Sequence, residues 1–176
     1  LRGIHFTLLA DLENDGKTSI VTTAQLGGLD DDGLSNRVKI FDEHMNLTAM
    51  SSTGRLVTFA GRVYPLDYGP SGILTWEDSC SHQREILANA VGFRSPSVLT
   101  RIDSRGKNLG EYWHYGHLGG VYRVHLLSPR PADYVILTGI NDASDSTGIS
   151  FGAIVVLDPL KIIGTSESSA SRGFGF

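Results

Sequence analysis

The sequence predicts an all-β chain built from about three four-stranded antiparallel units, and three observations carry that prediction. The chain repeats itself: residues 6–47 and 122–163 follow one apolar pattern at a constant offset of 116 residues, without a gap. Leu8 falls on Val124, Ile20 on Ile136, Val21 on Leu137, Thr22 on Thr138, Val38 on Ile154, Ile40 on Val156 and Asp42 on Asp158. Aspartates close the third strand of each unit, at Asp42, Asp103 and Asp158, with spacings of 61 and 55 residues, a period within or slightly above that of repeat architectures. Finally, 21 glycines among 176 residues suit tight turns between short strands, because Gly destabilises helix interiors.

The first unit, 5–55, reads as strands at 5–10, 19–24, 37–42 and 47–51, with Glu43-His-Met-Asn46 turning the last hairpin. The second unit, 70–114, places strands at 72–76, 85–90, 97–103 and 109–113, and Gly106 supplies the positive φ that its last hairpin needs. The third, 121–166, offers 122–127, 134–140, 152–158 and a final strand near 162–165. Residues 51–72, punctuated by Pro65, Gly69 and Pro70, read as a long connection. The Ser-rich tail 167–176 is expected to fray unless it pairs with a missing strand. All of this reads as one segment, 1–176, of a β-propeller-like array.

Composition narrows the partners. A chain with 40% hydrophobic residues and mean hydropathy of −0.05 has the profile of a globular domain. The net charge of −4, with no run of Lys and Arg, argues against nucleic acid, whose phosphates require clustered positive charge. No stretch reaches the roughly 18 apolar residues of a membrane helix, so membrane insertion is not expected. A single cysteine, Cys80, excludes an intrachain disulfide and a cysteine-based zinc finger. The start, Leu1-Arg-Gly-Ile-His-Phe6, has neither an initiator Met nor a signal-peptide profile, and the expectation is a piece of something longer.

Asp11-Leu-Glu-Asn-Asp-Gly16, followed by Ser19-Ile-Val-Thr22 and later by Val38-Lys-Ile-Phe-Asp42, resembles the FG-GAP/VCBS repeats, the integrin-α-like propeller blades. Those repeats read Asp-x-Asp-x-Asp-Gly-x-x-Asp and then a strand. The resemblance implies a partial propeller, because three blades cannot close a ring, and therefore further blades from flanking sequence or from self-association. It also implies a secreted or cell-envelope setting and Ca²⁺ in the acidic loop. Asp11, Glu13 and Asp15 match the alternate ligand positions, Lys17 would give its carbonyl, and Ser19 stands where the family has Asp. The corresponding loops of the other units, 77–82 and 128–133, have lost the pattern.

The best candidate for ligand contact is Glu111-Tyr-Trp-His-Tyr-Gly-His117, read as following a fourth strand. Tyr112 and Trp113 offer flat stacking surfaces, while His114 and His117 offer hydrogen bonds and proton transfer. Asp31, within Asp30-Asp-Asp-Gly33, and Asp142, in the equivalent connection of the third unit, are expected on the same face. A protein or glycan ligand fits such a surface. Two alternatives stand beside this binding module: a polysaccharide lyase or hydrolase using His114, Tyr115, His117 and Asp142, and a purely structural module of a larger protein. No nucleophile elbow, phosphate loop or dinucleotide fingerprint is present.

Overall fold

The structure is a computed structural model that describes residues 4–24, 36–59, 62–64, 68–78, 82–91, 96–126, 132–142, 150–165 and 174–175. It is all-β. The first sheet holds β1 (Ile4–Ala10), β2 (Ser19–Ala24), β3 (Arg37–Phe41) and β4 (Leu47–Ser52) in that order. A small hairpin follows, β5 (Val57–Phe59) and β6 (Arg62–Tyr64). The central sheet takes β7 (Gly69–Glu77), β8 (Arg84–Val91), β9 (Ser97–Ile102) and β10 (Asn108–His114), again in chain order. The third sheet takes β11 (Gly116–Leu126), β12 (Ala132–Asp142) and β13 (Ser150–Leu157). Two short strands complete the set, β14 (Gly164–Thr165) and β15 (Phe174–Gly175). All pairings are antiparallel except β10 with β14. Among the described residues no sheet closes on itself.

The three larger sheets stack face to face, with the first strand of each beside the next: β1 packs on β7, and β7 on β11. Apolar layers fill the gaps. Val21, Val38 and Ile40 of the first sheet meet Ile86, Ala88 and Ile102 of the central one. On the opposite face Trp76, Leu87, Leu99 and Tyr112 meet Leu118, Val135, Leu137 and Ala153 of the third sheet. This explains why Ile86-Leu-Ala-Asn-Ala90 is buried at every position: a strand covered on both faces has no solvent side to alternate with. Its one polar residue, Asn89, donates to the carbonyl of Leu118 at 2.6 Å. Ser97 likewise donates to the Gly116 carbonyl at 2.6 Å and accepts from Leu118 N–H at 2.8 Å. These buried hydrogen bonds to the backbone of β11 fix the third sheet on the central one.

Three expectations change. The fourth strand of the third unit does not join its own sheet: Gly164 and Thr165 pair in parallel with Tyr112 and Trp113 of β10. Asp158 and Pro159 start a 3₁₀ turn over Pro159–Lys161 in place of a hairpin, as a proline at a helix start favours. Ile162 then inserts between the sheets. That approach depends on Gly110, where an added Cβ would lie 2.4 Å from the Ile162 carbonyl oxygen. The segment read as a long connection, 51–72, contains the β5–β6 hairpin, and its tail expectation resolves at Phe174 and Gly175, which pair with Phe59 and Thr58.

The third change is a one-residue slip inside the repeat. Val21 pairs with Ile40, but its equivalent Leu137 pairs with Val155, not with Val156. Side chains alternate along a strand, so the slip turns Leu137 back onto the central sheet, while Ile154 and Val156 keep the side that Val38 and Ile40 occupy, which in the third sheet is the outer face. Val38 and Ile40 are 1% and 2% exposed, whereas Ile154 and Val156 are 76% and 55% exposed. The physical reason lies in Val135-Ile-Leu137 and Ala153-Ile-Val-Val-Leu157, which are apolar at every position and fit the core through either set of side chains.

Candidate functional site

Strand direction divides the connections between two ends. At one end lie the 11–18 loop, the 42–46 turn, the 103–107 turn and the 3₁₀ turn. Asp11, at the end of β1, spends its carboxylate on its own loop: Oδ1 accepts from Asp15 N–H at 3.1 Å and Oδ2 from Gly16 N–H at 2.9 Å. Asn14 and Gly16 take φ of 58° and 83°, which these two residue types tolerate best. Asp15 Oδ1 accepts from Lys17 N–H at 3.0 Å, and Lys17 Nζ lies 3.2 Å from Asp15 Oδ2. These two contacts, the backbone bond first, hold the Asp15 carboxyl below the ordinary carboxylate range. The loop is moored to the central sheet by Arg84, which donates to the Asp11 carbonyl at 3.1 Å, and by Asn14, which donates to the His82 carbonyl at 3.0 Å.

Glu13 is exposed and Ser19 begins β2 opposite Ala10. Glu13, Asp15, Lys17 and Ser19 line a groove of about 450 Å³ together with Glu43 and Arg105. Its oxygen donors are of the type Ca²⁺ takes, but that ion requires six to eight of them. Among the described residues no three His, Cys, Asp or Glu side chains gather as a cation cage. The cation beside Asp15 is the Lys17 ammonium.

The periodic aspartates have the same occupation as Asp11. Asp42 Oδ1 accepts from the N–H groups of His44 and Asn46 at 2.9 and 2.8 Å, and Oδ2 from Asn46 Nδ2 at 2.8 Å. Asp103 Oδ1 accepts from Arg105 and Lys107 N–H at 2.9 and 2.8 Å. Asp158 Oδ1 accepts from Leu160 N–H at 3.0 Å. The repeat signature is thus a turn cap.

At the opposite end, the aromatic and histidine segment is strand and core. Tyr112, Trp113 and His114 belong to β10, which passes through Tyr115 directly into β11. Trp113 is 1% exposed and stands edge-on to Tyr68 with ring centroids 5.7 Å apart. Its indole N–H donates to Glu111 Oε2 at 3.0 Å, and the same carboxylate oxygen receives Arg55 Nε at 3.1 Å. Tyr112 is buried, which pushes its hydroxyl pKa up. His114 is 3% exposed, so it faces the interior, while His117 is exposed and Tyr115 half-buried. Asp142 ends β12 at the same end, one position beyond the Gly116 and Asn141 pair. Asp31 and Cys80 lie outside the described residues.

A buried charge pair escaped the sequence reading. Glu85, 4% exposed, forms a two-pronged ion pair with Arg101, whose Nη2 donates to Oε1 at 2.7 Å and whose Nε donates to Oε2. Arg101 also donates to the Leu160 carbonyl at 3.3 Å and stacks 5.9 Å from the Trp76 ring centroid. The hydrogen bonds to Glu85 raise its pKa further against the opposing effect of burial. The available signal was an acid, Glu85, and a base, Arg101, each set against an apolar run in neighbouring strands. A second exposed cluster joins Asp133 to Arg123 and His125, each at 2.9 Å. Compared with known proteins, the chain matches no family model, no curated protein and no solved structure.

Proposed function

We propose that the chain is a non-catalytic interaction module of the FG-GAP/VCBS-like β-propeller class, acting in a secreted or cell-envelope setting and recognising a protein or glycan through the loop end that carries His117 and Asp142. The observation that carries this reading is the asymmetry of the two ends. At the Asp11 end, the carboxylates of Asp11, Asp42, Asp103 and Asp158 are committed to their own turns. At the other end, where β10 passes through Tyr115 into β11, His117 is exposed and Tyr115 half-buried. Accessible side chains at the loop end of a rigid scaffold are where recognition residues concentrate. Trp113 and His114 support that end from within, so ligand contact passes to His117 and Tyr115.

A glycan array and a cell-surface protein panel test the reading. His117→Ala is expected to weaken a captured ligand at least tenfold with no change in Tm, while Asp103→Asn at the opposite end leaves binding intact. The reverse pattern would sink it.

Calcium belongs to the other end as a proposal of its own: the ion takes Asp11, Glu13, Asp15, the Lys17 carbonyl and Ser19, and displaces the Lys17 ammonium from Asp15. Calorimetric titration with CaCl₂ should then show tighter binding to Lys17→Met than to wild type, and none to Asp15→Ala. A titration without heat in both wild type and Lys17→Met rules the ion out.

A further inference from the structure

The outermost face of the third sheet is apolar across its rows, and that of the first sheet is apolar in the row nearest the Asp11 end. On the third sheet, Tyr122, Ile136 and Val156 form one cross-strand row. Ile154 and Ile140 extend it, and four of these five residues are more than 40% exposed. Across those rows the described outward positions include no Lys, Arg, Asp or Glu; Thr138 and His117 are their polar members. On the first sheet, Leu9, Ile20, Phe41 and Leu47 share an outward row, with Leu9 and Leu47 exposed and Phe41 buried; the next row, Thr7, Thr22, Lys39 and Met50, adds the exposed Met50 and one charge, Lys39. Contiguous apolar surface of this kind marks an interaction face on a folded protein.

We infer that the outer face of the third sheet docks on the outer face of the first sheet of a second copy, and reciprocally, so that two copies close a ring of six stacked sheets. Three observations select this occupant. The chain already packs its own sheets face to face twice, first on central and central on third, and a second copy continues the same stacking at both ends. Ile154 and Val156 stand at the repeat positions of Val38 and Ile40, which are core in the first sheet, so the outward side of β13 is chemically a sheet-packing face.

The third observation is area. Three strands about 4.8 Å apart, each about eight residues at about 3.4 Å, present about 400 Å², half of the roughly 800 Å² per partner of a stable interface. One end face alone falls short, and both together reach it. A contact between unlike faces must also close or grow into a filament, and two copies are the smallest closed solution. This inference concerns the sheet faces and meets the loop-end reading only at His117, on the margin of the face; solution mass tests the one and ligand binding the other.

Light scattering on the full chain across about 1–100 μM is the test. The expected mass is twice the 19.0 kDa of the chain. Ile154→Lys and Leu9→Lys, each alone, should run at the mass of one chain with an unchanged far-ultraviolet circular dichroism spectrum. An equimolar mixture of the two retains only one interface with both native faces, which falls short by area, so it should associate more than either variant alone but far more weakly than wild type. A wild-type monomer throughout that range, open-ended oligomers, or variants that stay dimeric would each overturn the closed ring.

Discussion

A side-chain carboxylate that caps its own turn is the smallest unit from which this molecule is assembled. Asp42 and Asp103 hold equivalent five-residue turns, in which Met45 and Gly106 occupy the same position with φ of 66° and 78°. A left-handed φ costs an L-residue about 1–2 kcal/mol, and Gly avoids that cost while giving back part of it in chain entropy. Met45 is exposed, so little packing opposes the exchange, and Met45→Gly should stabilise the chain by up to about 1 kcal/mol. Gly106→Ala should lose about 1 kcal/mol or more, since the added Cβ would also sit 2.9 Å from the Met50 carbonyl oxygen. Thermal denaturation of both variants measures the pair, and equal shifts in one direction would refute the argument.

At the scale of elements, the central sheet depends on an ion pair set among apolar neighbours. Removing one partner of a buried pair leaves an uncompensated charge, so Glu85→Ala should cost about 3 kcal/mol, whereas Glu85→Leu with Arg101→Met should regain most of it. Urea denaturation of the single and double variants decides this; a double variant no better than the single one would mean that Arg101 acts through Trp76 and Leu160 instead. The same strands show what was legible in the sequence. Strand existence was readable at β1–β4 and β7–β13, because alternating or continuous apolar runs and turn residues such as Gly, Asp and Pro mark the ends. Register was not readable at β13, where apolar residues occupy both faces. Nor was the fate of Ile162–Thr165, because pairing with β10 depends on the absence of a side chain at Gly110, a contact between residues far apart in sequence. The aromatic segment was misplaced for a related reason: a run of Tyr, Trp and His has the same composition in a ligand platform and in a strand buried on both faces, and only the neighbouring sheets distinguish them.

On the scale of the whole molecule, stacking and electrostatics meet at the turns, and their joint consequence is a pH dependence. Asp42 has its pKa lowered by hydrogen bonds from the Asn46 side chain and backbone, and Asp15 by the Lys17 backbone and ammonium. At Asp133 burial pushes the other way, but the bonds from His125 and Arg123 together outweigh it. In each case the folded value lies below the ordinary 3.8. The unfolded chain therefore binds protons first as pH falls, and folding stability declines with it. The contribution of these groups is complete above the unfolded value and disappears as pH drops through the folded values. Tm should thus be insensitive to these carboxylates from about pH 5 upward and should fall steeply below about pH 4. Asp42→Asn keeps one acceptor oxygen for the turn but cannot titrate, so its Tm should be lower than wild type at neutral pH and converge on it in acid. Parallel curves for wild type and Asp42→Asn from pH 7 to pH 2 would show that the repeat's aspartates contribute shape alone, and that the acid transition begins in the sheet interfaces.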